Sequence, residues 1–142
     1  MKVFQMDGMV TMKTLIVEDD FTSRLLMQEL LKEFGLPHIA VDGQEAVEAV
    51  RMALDAGEPY NLICLDIMMP GLDGQQALRQ IRAVEEEWGI FSSVGAKIIM
   101  TTALSDMQNK IDAFSGLCDG YLTKPIHKQK VLEELRKFEL IP

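Results

Sequence analysis

The sequence predicts an α/β fold, a doubly wound parallel sheet with helices on both faces. Three observations predict it. Short apolar runs alternate five times with stretches of helical periodicity, the pattern of right-handed βαβ units. The run at 60–66, YNLICLD, is almost continuously apolar, as a strand buried on both faces should be. The runs also close on, or lead into, reactive polar residues: Glu18-Asp19, Asp66, Thr101-Thr102 and Lys124. Ligands of parallel sheets bind beyond the carboxyl ends of the strands, so these groups should meet at one rim.

Each element has a local reason. Residues 14–17, TLIV, form a short β-rich run that Glu18-Asp19-Asp20 ends. Apolar residues at 21, 25, 26, 30, 31 and 34 then follow helical spacing, which Gly35 and Pro37 stop. Residues 38–41 are a second strand. Asp42 with Glu45 three later opens a helix to about Asp55, ended by Gly57 and Pro59. After the third strand at 60–66, MMPGLDG is turn chemistry, and a third helix runs from Asp73 or Gly74 to Trp88. A fourth strand is expected at 96–101, and Ser105 with Gln108 opens a fourth helix that Gly116 to Gly120 breaks. Residues 120–123 make a fifth strand, and the last helix covers roughly 128–138.

A chain of 142 residues is one domain's length, and 48% hydrophobic with 25% charged residues is an ordinary globular composition. No apolar run is long enough to span a bilayer, and no basic, then apolar, leader opens the chain; a cytoplasmic location is expected. The net charge of −8 argues against nucleic acid or anionic membrane as partner, since both need a basic footprint. It leaves a basic protein partner open. Cys64 and Cys118 make no disulfide framework, and Cys64 reads as a small buried hydrophobe. His38 and His127 have no partner at useful spacing. Neither a P-loop nor a G-x-G-x-x-G motif occurs.

Crowded carboxylates raise one another's pKa and stay ionised most readily around a cation. An all-oxygen set with few carboxylates suits Mg²⁺, and a hydroxyl and a lysine beside it suit a phosphoryl group. Together LIVEDD, LDIMMPGLDG, MTTA and YLTKP, in this order and at these strand ends, resemble the response-regulator receiver domain of bacterial two-component signalling, over about residues 13–138.

The resemblance implies a flavodoxin-like (βα)5 fold with strand order 2-1-3-4-5 and a role for each motif residue. Asp66 matches the phosphoacceptor. Glu18 and Asp19 match the acidic pair that holds Mg²⁺ with Asp66, and the Met68 carbonyl would be a further ligand. Thr102, preceding the small Ala103, matches the switch hydroxyl, Lys124 the lysine that pairs with acceptor and phosphoryl, and Tyr121 the aromatic that moves with the switch. Pro125 is a candidate cis proline. Thr101 is expected to point away from the site, and Asp20 to serve the helix start.

The expected function is a phosphoacceptor switch, not an enzyme with turnover on another substrate. A histidine kinase or histidine phosphotransfer protein would donate the phosphoryl. With no output domain after Pro142, output would be a contact with an unknown protein, or a homodimer through the fourth helix, fifth strand and fifth helix. The rivals are an aspartate-nucleophile phosphatase, disfavoured because Met68 stands where a general acid is usual, and an adaptor that is never phosphorylated. Met68 and Leu104, flanking the site, cannot orient water, which implies slow self-dephosphorylation. Residues 13–142 form the receiver and residues 1–12 an extension of unknown role. The segment from Glu85 to Gly95 is expected to be a solvated acidic end with Trp88 packed down, or a longer helix or rim contact.

Overall fold

A computed structural model of the chain describes residues 4–6, 9–91, 94–103 and 117–142. Its elements are β1 (Phe4–Met6), β2 (Met9–Thr11), β3 (Thr14–Val17), α1 (Phe21–Leu31), β4 (His38–Ala40), α2 (Gly43–Asp55), β5 (Leu62–Asp66), α3 (Gly74–Glu87), β6 (Lys97–Ala103), β7 (Gly120–Lys124) and α4 (Lys128–Lys137). Five parallel strands form one sheet in the order β4-β3-β5-β6-β7. Counted along the chain within that sheet, the order is 2-1-3-4-5, as expected.

Strand alternation divides the core in two. Leu15 and Val17 of β3, Ile63 and Leu65 of β5, and Ile98 and Met100 of β6 pack against α2 and α3. Ile16, Leu62, Cys64, Ile99 and Leu122 point to the other face and pack with Met27 and Leu31 of α1 and Val131 and Leu135 of α4. Each of these large side chains contributes about 1.5–3 kcal/mol when fully buried, so a one-residue register slip would forfeit both faces at once.

The helix starts follow the sequence signals. Asp20, Asp42 and Asp73 are N-caps, accepting from the backbone N–H of Ser23, Glu45 and Gln76. At Asp73 the box is complete, because the Gln76 side chain accepts from the Asp73 N–H. At Asp42 it is not: Glu45 accepts from Val41 N–H instead. The last turn of the first predicted helix tightens into a 3₁₀ turn over Lys32–Phe34.

Several differences from the sequence expectation matter. β6 runs two residues past the expected end, because Thr102 and Ala103 pair with Thr123 and Lys124. Residues 4–11 include an antiparallel pair, β1 with β2, that nothing in their composition announced. Met12 is already core, with its N–H on the Phe34 carbonyl at 2.7 Å. On α1, the apolar spacing overstates burial: Phe21, Leu25 and Leu26 face solvent while Met27 and Leu31 are buried. The helix expected from Ser105, and Leu104 before it, lie outside the described residues.

The acidic end of α3 is the clearest correction. Trp88 is the exposed C-cap, whereas Glu85 is buried. Its carboxylate takes Arg82 Nη1 at 2.6 Å and the Ala96 N–H at 2.8 Å. Arg82 also donates to the Leu117 and Ala96 carbonyls and to Asp119 Oδ2. Asp119 in turn accepts from the Ile98 N–H. This network closes the end of the sheet opposite the acidic rim.

Candidate functional site

Glu18 follows the last residue of β3, Asp66 ends β5 and Lys124 ends β7. All three keep the strand parity of Ile16, Cys64 and Leu122, so they rise on the α1–α4 side of the sheet. Three distant stretches thereby deliver two carboxylates and an ammonium to one rim. Glu18 and Asp66 are nearly inaccessible, at 3% and 4%, whereas Asp19 is exposed. One oxygen from each of Glu18, Asp19 and Asp66 lies within 4.8 Å of the others.

The lysine is shared unequally. Lys124 Nζ stands 2.7 Å from Glu18 Oε1 and 3.5 Å from Asp66 Oδ1. Asp66 Oδ1 also accepts a long bond, 3.3 Å, from the Met68 N–H. Burial, reinforced by the neighbouring Glu18 carboxyl, pushes the Asp66 carboxyl up to about 7, against the opposing pull of Lys124 and the Met68 N–H. Burial works against the Lys124 charge, yet the Glu18 hydrogen bond and the two carboxylates raise its pKa overall.

One lysine therefore serves a pocket with two buried acids and a third at its lip. The donor set is all oxygen, negatively charged and open to solvent on the Asp19 side, which fits a hard divalent cation that keeps some of its waters. Asp20 stands apart from it as the cap of α1, and its bond from Ser23 N–H holds its carboxyl below the usual range.

The strand register separates the two hydroxyls. Asp66 pairs in register with Thr101, not Thr102. Thr101 thus shares the face of Asp66 rather than pointing away, because registered residues of parallel strands lie side by side. Thr102 is buried with the parity of Ile98 and Met100, and its hydroxyl donates to the Ala103 carbonyl at 3.2 Å. Tyr121 pairs with Met100 and packs half-buried against the same core. Thr102 and Tyr121 therefore share one face, across the pleat from the carboxylates.

The loop after β5 is shaped around Asp66. Gly74 opens α3 with its N–H on the Ile67 carbonyl at 3.0 Å, and a Cβ there would collide with the Asp66 carbonyl oxygen. Met68 is 54% exposed. The Lys124-Pro125 peptide is cis, as expected. Burial lifts the Cys64 thiol to about 12, so it is an inert core residue.

Sequence reasoning missed Arg24. Its Nη1 lies 3.1 Å from the Glu18 carbonyl and 3.5 Å from that of Asp19. The signal available was position: one turn into α1, its side chain can fold back on the helix start.

A family model described as the response regulator receiver domain matches residues 14–136. Sensor protein GacS of Pseudomonas syringae is 35% identical over 127 residues, which cover 89% of this chain and 13% of that protein; the chain thus spans a small fraction of that relative. The receiver domain of the histidine kinase CKI1 from Arabidopsis thaliana, solved with Mg²⁺ and BeF₃⁻, is similar with TM-score 0.72 and 27% identity, covering 90% of this chain and 89% of that one. The complex of the Saccharomyces cerevisiae phosphotransfer protein Ypd1 with the receiver domain of Ssk1 gives TM-score 0.73 and 28% identity, covering 90% and 88%. No helix among the described residues is long and apolar enough to cross a membrane.

Proposed function

The chain belongs to the response regulator receiver family, and from that premise we propose that Asp66 is its phosphoacceptor in a phosphorelay or two-component system. The observation that carries this reading is the meeting of Glu18, Asp19 and Asp66 within 4.8 Å, with Lys124 3.5 Å from Asp66. A carboxylate oxygen of Asp66 attacks phosphorus while the bond to a donor imidazole nitrogen breaks. An acyl phosphate remains here and a histidine is left on the donor. Lys124 moves its ammonium from the carboxylates toward the phosphoryl oxygens. The Thr102 hydroxyl, one residue beyond the Thr101 that pairs with Asp66, turns from the Ala103 carbonyl over the strand end to a phosphoryl oxygen, and Tyr121, on the face of Thr102, repacks with it.

Glu18, Asp19, Asp66 and the Met68 carbonyl are the residues that would hold Mg²⁺. When bound, Mg²⁺ supplies the charge that keeps the crowded carboxylates ionised together and offsets the charge of the incoming phosphoryl group.

The donor is a histidine kinase or a histidine phosphotransfer protein, by likeness to the Ypd1–Ssk1 complex. Phe21, Leu25 and Leu26, exposed on α1 beside the site, offer an apolar patch for it. The output is a protein contact, with another partner or a second copy, that distinguishes the two states. The working location on this reading is the cytoplasm. Residues 1–12 act as an extension to the receiver unit at 13–142.

The test is incubation with acetyl phosphate and Mg²⁺. Wild type gains one phosphoryl group by intact mass, and Asp66→Asn gains none. Labelling that survives Asp66→Asn, or no labelling of wild type, rejects the assignment.

A further inference from the structure

We infer that Arg24 is a positioning residue for the cation site, fixing the turn from which the Glu18 and Asp19 side chains spring; this rests on the Mg²⁺ reading above. The turn at 18–20 has an almost complete backbone account. The Glu18 N–H donates to the Ala40 carbonyl at 3.1 Å, and the Asp20 carbonyl accepts from the Arg24 N–H at 2.9 Å. The Asp20 N–H reaches Glu18 Oε2 at 3.3 Å. Among the described residues the carbonyls of Glu18 and Asp19 find their donor in one nitrogen of Arg24, at 3.1 and 3.5 Å.

The peptide planes on either side of Asp19 are therefore set by Arg24. Asp19 is the exposed acid of the trio, so no packing holds its direction; the turn must. The guanidinium is itself braced, 5.5 Å from the Phe21 ring centre. Its planar fork reaches a shared site between two carbonyls, where a lysine would offer only a mobile point charge.

Charge and geometry act in opposite directions here, which makes the inference testable. A positive group near the acids opposes a divalent cation, so a purely electrostatic Arg24 would weaken Mg²⁺ binding. A clamp would strengthen it by pre-ordering the ligands. Arg24→Lys keeps the charge and loses the clamp; Arg24→Gln loses both.

The experiment is calorimetric titration of the full chain with MgCl₂, alongside thermal melts. Arg24→Lys is expected to raise the Mg²⁺ Kd about tenfold, as loss of an outer partner of a metal ligand does. Its phosphorylation rate with acetyl phosphate should return to that of wild type at saturating Mg²⁺. Unchanged Mg²⁺ affinity in Arg24→Lys with tighter binding in Arg24→Gln overturns the inference in favour of charge alone. A rate deficit that persists at saturating Mg²⁺ overturns it too. Should either variant melt early, the amide resonances of Asp19 and Asp20 at saturating Mg²⁺ decide: shifts confined to 18–20 support the clamp, and shifts spread through the core overturn it. If wild type itself binds no Mg²⁺, the parent reading fails instead.

Discussion

Lys124 reaches back across 106 positions of sequence to Glu18, with Nζ at 2.7 Å from Oε1, and leaves Asp66 at 3.5 Å. On the Mg²⁺ reading proposed above, the lysine and the cation compete for the same Glu18 carboxylate. Replacing Lys124 with Ala frees Glu18 and removes a like charge, so Mg²⁺ should bind several-fold more tightly by calorimetry. The same variant should accept phosphoryl from acetyl phosphate more slowly than wild type at saturating Mg²⁺.

Asp66 imposes a pH dependence. Burial pushes its carboxyl up to about 7 in the folded chain, against about 4 once unfolded. Between those values the folded state keeps a proton that the unfolded state has released. Stability from this group is thus fully present below pH 4 and falls as pH rises toward 7. Asp66→Asn should be the more stable protein at pH 8 without metal, by about 2 kcal/mol, roughly half the full linkage value because a neutral amide must still be buried. The gap should close near pH 4. Adding Mg²⁺ at pH 8 should raise the Tm of wild type more than that of the variant. Urea unfolding at the two pH values measures it.

Met68, 54% exposed beside the acceptor, has no group to orient an attacking water. The double variant Met68→Asn with Leu104→Glu should shorten the acyl-phosphate half-life several-fold. A half-life equal to or longer than that of wild type in the double variant rejects slow self-dephosphorylation.

At the far end of the sheet, Glu85→Ala would remove one of the two carboxylates on buried Arg82 and leave the Ala96 N–H without its acceptor, while Asp119 still pairs with the guanidinium. The cost should be about 1–3 kcal/mol, that of a buried donor left unsatisfied, readable from the urea midpoint. Glu86→Ala, one residue on and exposed, should be within about 0.5 kcal/mol of wild type. Phosphorylation of the folded fraction should be unaffected, since the network lies away from the acidic rim.

By itself the sequence determined the alternation of elements, the helix starts at Asp20, Asp42 and about Asp73, and the strand ends bearing Glu18, Asp66 and Lys124. These are local: hydrophobic period and capping chemistry act within a few residues. It also placed Glu18, Asp19, Asp66 and Lys124 on one rim, because parallel βα topology leaves no other place for strand ends. What it could not determine depends on which face a residue turns to and what stands opposite. Thr101 lies beside Asp66 only because of the β5–β6 register. Glu85, one of three consecutive glutamates, is buried because Arg82, Ala96 and the Glu85 side chain meet there. Arg24 meets the Glu18 and Asp19 carbonyls because the start of α1 brings its side chain back over the turn at 18–20. Each is a long-range or accounting effect: a buried polar group needs a partner, and only the folded chain says which residue is near enough to be one.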